Sequence, residues 1–334
     1  MAEKLPSGKY RSRATYTGEN GKRHSVSFTR DTAKEADYAA LEFKLGKRRT
    51  AAPTSMTVGE AVTAFIEAND SVLSPSTIVG YRRIYKNYIS AIENIPLHKL
   101  DNNTLQSWVN QLARKHSPKT VSNAYGLVST TLRTYAPEFS PRVNLPRKAV
   151  RDVQIPQRED IELLLKLTEG TRLHLPILLG AHCGLRRSEM SALTWKDIDL
   201  KNRKIKIRHA MVQGEYGWVI KQPKSAAGTR VVDMTNAVHD YLASADKSQP
   251  PVPINPTTIT NDFGDLCRAN GLSYNQHLLR HYYASVLASR GIPIKYAQML
   301  MGHSSGEMLN KVYAHILKEE EERFRSSVTS YFNG

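Results

Sequence analysis

Cysteine is nearly absent. Only Cys183 and Cys267 occur in 334 residues, in no Cys-x-x-Cys pair and near no zinc-type set of histidines, so neither a disulfide framework nor a metal site is expected. Both read as small core side chains in a reducing compartment. The sequence also lacks any apolar run of about 18 residues, the minimum for a membrane-spanning helix. Its first residues, MAEKLPSGKYRSR, are basic but hold no apolar stretch of roughly 7 to 15 residues such as a secretory signal needs. A cytoplasmic protein without membrane contact is expected. The third shortage is acidic charge, with 31 Asp+Glu against 47 Lys+Arg and a net charge of +16. Residues 1–50 carry 12 basic and 6 acidic side chains, residues 51–150 carry 11 and 6, and the remainder 24 and 19. A single basic tail would concentrate that surplus, whereas its even spread suggests several domains facing one polyanion, with nucleic acid favoured over a membrane surface.

A chain of this length exceeds what one hydrophobic core usually organises. Three domains are expected: residues 1–50, 57–140 and 155–334. In the first, YRSRATY and HSVSF alternate around GENGK, which predicts a β-hairpin with Asn20-Gly21 in its loop. The capping box Thr32-x-x-Glu35 then opens a helix to about Arg49. Arg11, Arg13, Lys22 and Arg23 lie on or beside this hairpin and are candidates for DNA contact through a β-ribbon in a major groove, or are solvated charges. After the linker TAAPTSM, the second domain reads as four helices. They begin with the capping box Thr57-x-x-Glu60, include Ser74-Pro75 and Ser117-Pro118 as starts, and end near Tyr135. Pro137, Pro141 and Pro146 preclude a continuous helix beyond. The third domain predicts helices near 157–168, 172–183 and 186–193, two or three strands between Lys204 and Met234, and helices again from about Thr257. The segments KIKIRHAMV and WVIKQPKSAAGTRVV are expected to pair across a Gly-containing turn.

The third domain also holds an ordered set of polar segments: Gly184-Leu185-Arg186-Arg187-Ser188-Glu189, His277-Leu278-Leu279-Arg280, Gly302-His303 and Val312-Tyr313-Ala314-His315. Singly none is informative. In this order and context they resemble the signature of tyrosine recombinases, particularly the integrases of phages and conjugative transposons. The resemblance covers the whole chain in outline. It implies an α+β multidomain fold, with a hairpin-and-helix arm-binding module, an all-α core-binding domain, and a mainly α catalytic domain bearing a small antiparallel sheet and a C-terminal tail helix. It also implies the catalytic set Tyr313, Arg186, Arg280, His277 and His303, with Glu189 orienting Arg186. The lysine of the set precedes a T-R-x-V strand, so Lys224 before Thr229-Arg230-Val231 is the best match and Lys221 competes with it.

These residue types suit cleavage of a phosphodiester without metal or cofactor. A tyrosine with a pKa near 10 is a poor nucleophile at neutral pH and needs cations and a base beside it. Planar guanidinium groups can hold phosphate oxygens by paired hydrogen bonds and stabilise the charge of the transition state. His303 would donate to the same phosphate, His277 would help move the tyrosine proton, and the lysine would protonate the departing 5′ oxygen. A 3′-phosphotyrosyl link conserves bond energy, so strands rejoin through a Holliday junction without ATP. The carboxylates near these motifs are too scattered for a two-metal nuclease. The resemblance further implies core and arm-type attachment sites on duplex DNA, a homotetramer on that DNA with Ile316, Leu317, Phe324 and Val328 anchoring the tail, and possible partnership with an excisionase or a host DNA-bending protein. Two other readings of the same residues are a catalytically idle DNA-binding protein and a type IB topoisomerase.

Overall fold

The computed structural model describes residues 2–17, 23–48, 56–147, 154–222 and 228–302, then 309, 310, 312–314, 316, 325, 329 and 330. The expected Asn20-Gly21 turn, Lys22, Lys224, His303 and the tail anchors Leu317, Phe324 and Val328 lie outside the described residues. The chain divides into two compact units, residues 1–149 and 150–334.

In the first unit, β1 (Glu3–Lys4), β2 (Tyr10–Thr17) and β3 (Arg23–Arg30) form an antiparallel sheet in that order. The two-residue β1 was not expected, because so short a strand has no readable period. Helix α1 (Ala33–Arg48) covers the face of β2 that carries Ser12 and Ala14, both buried, and Ser12 donates to Asp37 at 2.8 Å. Its start is the expected box, with Thr32 and Glu35 each taking the other's backbone N–H at 3.3 Å.

The helical part comprises α2 (Val58–Ala68), α3 (Pro75–Tyr88), α4 (Asn102–Lys115) and α5 (Pro118–Tyr135), as the caps and prolines predict. The Thr57–Glu60 box opens α2, and Ser117 accepts from the Thr120 N–H at the start of α5. Its core is built on Val62, Leu105, Leu127 and Trp108, whose indole N–H donates to the Tyr88 carbonyl at 2.8 Å, so this large ring is buried without an orphaned donor.

The second unit contains α6 (Arg158–Leu167), α7 (His174–Cys183) and the short α8 (Arg187–Met190), then β4 (Ile198–Asp199) to β8, then α9 (Asn236–Ser244), α10 (Pro256–Ala269), α11 (His277–Ser289) and α12 (Ile294–Met301). The strand expectation needs correction. Among the described residues between Lys204 and Met234 run four strands in two sheets: β5 (Lys204–Ile207) pairs with β8 (Arg230–Asp233), while β6 (Ala210–Gln213) pairs with β7 (Trp218–Lys221). The expected single pair therefore breaks at Arg208-His209. Arg208 there donates from Nε and Nη2 to Asp197 Oδ1, at 2.8 and 2.5 Å, and Asp197 is 3% exposed. Helix α9 was also unforeseen; it is short, and only Val238 and Leu242 are buried along it.

Helix α7 is buried on almost every side, with Leu175, Ile177, Leu178, Leu179 and Cys183 in the core, and it packs on α11. It stops at Gly184, whose φ of 64° is left-handed and where a Cβ would stand 2.5 Å from the Tyr283 ring. Only glycine meets both demands. The next residues, Leu185 and Arg186, therefore turn sharply into α8. Both cysteines are free and buried, as expected.

Candidate active site

The site grows from that turn. Arg186 is the N-cap of α8, and its backbone N–H donates to Glu189 Oε2 at 2.9 Å while its Nη1 donates to Glu189 Oε1 at 2.6 Å. Its Nη2 reaches the Gly302 carbonyl at 2.8 Å, and the side chain keeps 31% exposure. Glu189 is 4% exposed and is shared with a second arginine, Arg230 of β8, whose Nη1 and Nη2 donate to Oε1 and Oε2 at 3.1 and 2.9 Å. Burial alone would raise the Glu189 pKa; the bonds and charge of Arg230, then those of Arg186, outweigh it and hold the carboxyl at about 2.

Arg280 and His277 come from α11. Arg280 is 1% exposed, donating from Nη1 to the Gly184 carbonyl and from Nη2 to the Met301 carbonyl. Its Nε is buried without a partner among the described residues. Burial and the nearby Arg186 push its guanidinium well below the usual arginine range. The two arginines are thus presented differently: Arg186 faces solvent in part, whereas Arg280 sits behind it on backbone carbonyls. His277 stands edge-on to His281, with ring centroids 5.1 Å apart. Loss of hydration, then the charges of His281, Arg280, Arg186 and Arg187, push the His277 imidazole down to about 4. Its outer face is exposed, and water there screens those charges. The ring is neutral at pH 7, and the same causes make it a weaker base than an ordinary imidazole.

Tyr313 is 8% exposed, packs with Ala284, Ala297, Met301 and Val312, and donates its hydroxyl to the Ile292 carbonyl at 2.9 Å. Burial raises its pKa. It is therefore a protonated phenol engaged with backbone. Lys221 ends β7. Among the described residues no group of three or more His, Cys, Asp or Glu side chains can hold a metal ion.

The structure thus gathers Arg186, Glu189, Arg280 and His277 in one unit, and adds Arg230, which the motif reading had treated only as context for a lysine. A signal for it existed. Along β8 the burial alternates, with Arg230 and Val232 inward and Val231 and Asp233 outward. A cation on the inward face of a strand demands a buried anion.

The Glu189 pKa carries a stability prediction. A carboxyl held at about 2 against an ordinary value of 4.5 stabilises the fold fully above pH 4.5, and loses that contribution as pH falls from there through 2. The amount is about 3 kcal/mol. Chemical denaturation of wild type and Glu189→Gln across pH 6 to 2 should show their difference shrinking by roughly that amount; parallel curves would refute it.

In the first unit, Arg13 and Arg23 are exposed, on strands whose register pairs Arg13 with Ser27 and Thr17 with Arg23. Arg11 is instead bound to Glu3 at 3.2 Å. No described helix is long and apolar enough to cross a membrane.

Comparison with known proteins agrees with this geometry. Residues 157–320 match the model of the phage integrase family. The chain is 23% identical to the tyrosine recombinase XerC-like protein of Caldanaerobacter subterraneus subsp. tengcongensis, over 96% of this chain and 97% of that protein. It is 28% identical to the transposase from transposon Tn916 of Enterococcus faecalis, over 42% of this chain and 41% of that protein. Among solved structures, the Tn1549 transposon integrase in complex with a circular intermediate DNA aligns with a TM-score of 0.68 at 21% identity, over 81% of this chain and 100% of that one. A lambda integrase tetramer bound to a Holliday junction aligns at 0.57 and 19%, over 93% and 94%. At these identities the structures show a common fold. It is the family model and the recombinase relatives, rather than the fold alone, that support an enzyme breaking and rejoining DNA at specific sites. Residues 157–320 thus carry the phage integrase domain, and with the tyrosine recombinase and transposon relatives this supports a tyrosine recombinase whose reaction is site-specific recombination for integration and excision.

Proposed function

We propose that the chain integrates and excises a mobile element by cleaving duplex attachment sites through Tyr313, with Arg186 and Arg280 charging the phosphate pocket. The observation that carries this reading is the buried cluster Arg186–Glu189–Arg230 beside Arg280. Two guanidinium groups bond one carboxylate while a third rests on neighbouring backbone carbonyls, and the surplus positive charge is left for an anion at the partly exposed member, Arg186. Tyr313 attacks the phosphorus, the 5′ oxygen leaves, and a 3′-phosphotyrosyl bond replaces the phosphodiester. His277, neutral at pH 7, accepts the tyrosine proton; His303 donates to a non-bridging oxygen, and Lys224, with Lys221 as the competing candidate, protonates the leaving oxygen. Attack by a 5′ hydroxyl of the partner strand reverses the step and forms a Holliday junction.

The division of labour follows the resemblance. Residues 57–140 and 155–334 grip the core site, residues 1–50 bind separate arm-type repeats, and four copies assemble on paired sites, with an excisionase or a DNA-bending host protein setting direction. The lambda integrase tetramer on a Holliday junction supports the assembly, and the exposed basic strands β2 and β3 support the arm contact. The working compartment is the cytoplasm. An Arg13→Ala/Arg23→Ala variant should lower the slope of log affinity against log salt on arm-site DNA by about 2, with cleavage of a core-only duplex unchanged. Equal loss on both substrates would assign these residues to folding.

The test of the whole reading is a nicked duplex spanning the junction between the element and its flanking DNA. The nick lets the cleaved fragment diffuse away and traps the covalent complex. A protein–DNA band surviving denaturation, and recombinant junctions from intact sites, are expected. No band would leave a DNA-binding protein; bands without junctions would indicate strand relaxation alone.

A further inference from the structure

Helix α12 ends against three arginines. The last carbonyls of a helix have no partner inside it and carry the negative end of its dipole. Here Leu300, Met301 and Gly302 present consecutive carbonyls. Arg230 Nε donates to Leu300 at 2.7 Å, Arg280 Nη2 to Met301, and Arg186 Nη2 to Gly302 at 2.8 Å. The donors come from β8, α11 and the N-cap of α8, so one helix end indexes three separate elements to one another. In sequence the next residue is His303.

Arg230 differs from the other two. Its side chain is 4% exposed and its donors are spent on Glu189 and Leu300, so it cannot touch DNA. Each Glu189 oxygen is bonded on both sides: Oε1 takes Arg186 Nη1 and Arg230 Nη1, and Oε2 takes the Arg186 backbone N–H and Arg230 Nη2. Without Arg230 the buried carboxylate would keep only Arg186, and the α12 end would lose the brace that fixes it to β8.

We propose that Arg230 is a positioning residue for strand cleavage: it pins the Glu189 carboxylate and the Leu300 carbonyl together, so that Arg186 meets the scissile phosphate at a fixed angle. This rests on the reading of Arg186 as a phosphate ligand. Lysine cannot replace the fork, because its ammonium reaches Glu189 or Leu300 but not both in the same plane.

The experiment uses the full chain and the nicked junction duplex, with either a normal scissile phosphate or a methylphosphonate, which lacks the charge the arginines meet. Arg230→Lys and Arg230→Gln are compared with wild type and Arg186→Lys for melting temperature, duplex affinity and single-turnover cleavage. Both Arg230 variants should bind DNA within about 3-fold of wild type and cleave the normal phosphate about 100-fold more slowly. That loss should shrink by about 10-fold on the methylphosphonate, in parallel with Arg186→Lys, because misaimed charge matters less where there is less charge to meet. Cleavage within about 3-fold of wild type, equal slowing on both substrates, or unfolding of both variants at the assay temperature would each overturn the proposal and leave Arg230 a structural ion pair. If Arg186→Lys itself slows both substrates equally, the reading of Arg186 fails, and that result is separate from the fate of Arg230.

Discussion

Tyr313→Phe is expected to abolish the covalent protein–DNA complex while leaving the fold and DNA binding almost intact. The hydroxyl makes one bond, to the Ile292 carbonyl, and the ring stays in its apolar pocket when that oxygen is removed. The stability loss should be about 1 kcal/mol, the net value of one such bond. Cleavage should fall on the order of 10⁴-fold or more, since no other group supplies the bond to phosphorus. Gel shift and calorimetry read the first pair of outcomes, and denaturing gels of the nicked duplex the last. The buried phenol of Tyr283 on α11 is a poor substitute, because burial pushes its pKa up to about 12. A band that persists in Tyr313→Phe would assign the nucleophile elsewhere. Burial also raises the Tyr313 pKa, which favours the protonated phenol. For the proposed attack, the Tyr313 hydroxyl has to leave the Ile292 carbonyl and reach the arginines.

Arg280→Met should be damaging in a different way. The side chain is 1% exposed and holds the carbonyls of Gly184 and Met301. Its loss strands two buried acceptors, at about 1 to 3 kcal/mol each, and lets the α7 turn and the α12 end drift apart. The melting temperature of the second unit should fall on the order of 10 °C, and cleavage should be lost even well below the transition. Arg186→Met removes a partly exposed side chain and should lower the melting temperature by less, with the same loss of cleavage. A change under about 2 °C for Arg280→Met would show that those carbonyls are satisfied in some other way.

Much of the fold was legible because it rests on local signals. The Thr57–Glu60 box, the Ser-Pro starts and the apolar spacing around Trp108 each act within one or two turns of helix, and α2 to α5 appear where they point. The β region was legible only in part. KIKIRHAMV reads as one alternating run, but Arg208 is drawn to Asp197, a residue 11 positions earlier, and the strand divides there into two sheets. No period within the run contains that information. Helix α9 escaped because two buried residues over nine positions make no stripe.

For the site, the resemblance of the ordered motifs made Arg186, Glu189, His277, Arg280 and Tyr313 the candidates, and their residue types suit phosphoryl transfer. What the order does not contain is who holds whom. Tertiary structure alone decided that Arg186 is partly open while Arg280 is sealed against backbone, that Glu189 serves two arginines, and that the Tyr313 hydroxyl rests on Ile292. The reason is physical: a buried carboxylate or a helix-end carbonyl takes whichever donor the packing brings within about 3 Å, and here those donors lie 41, 96 and 116 residues away along the chain.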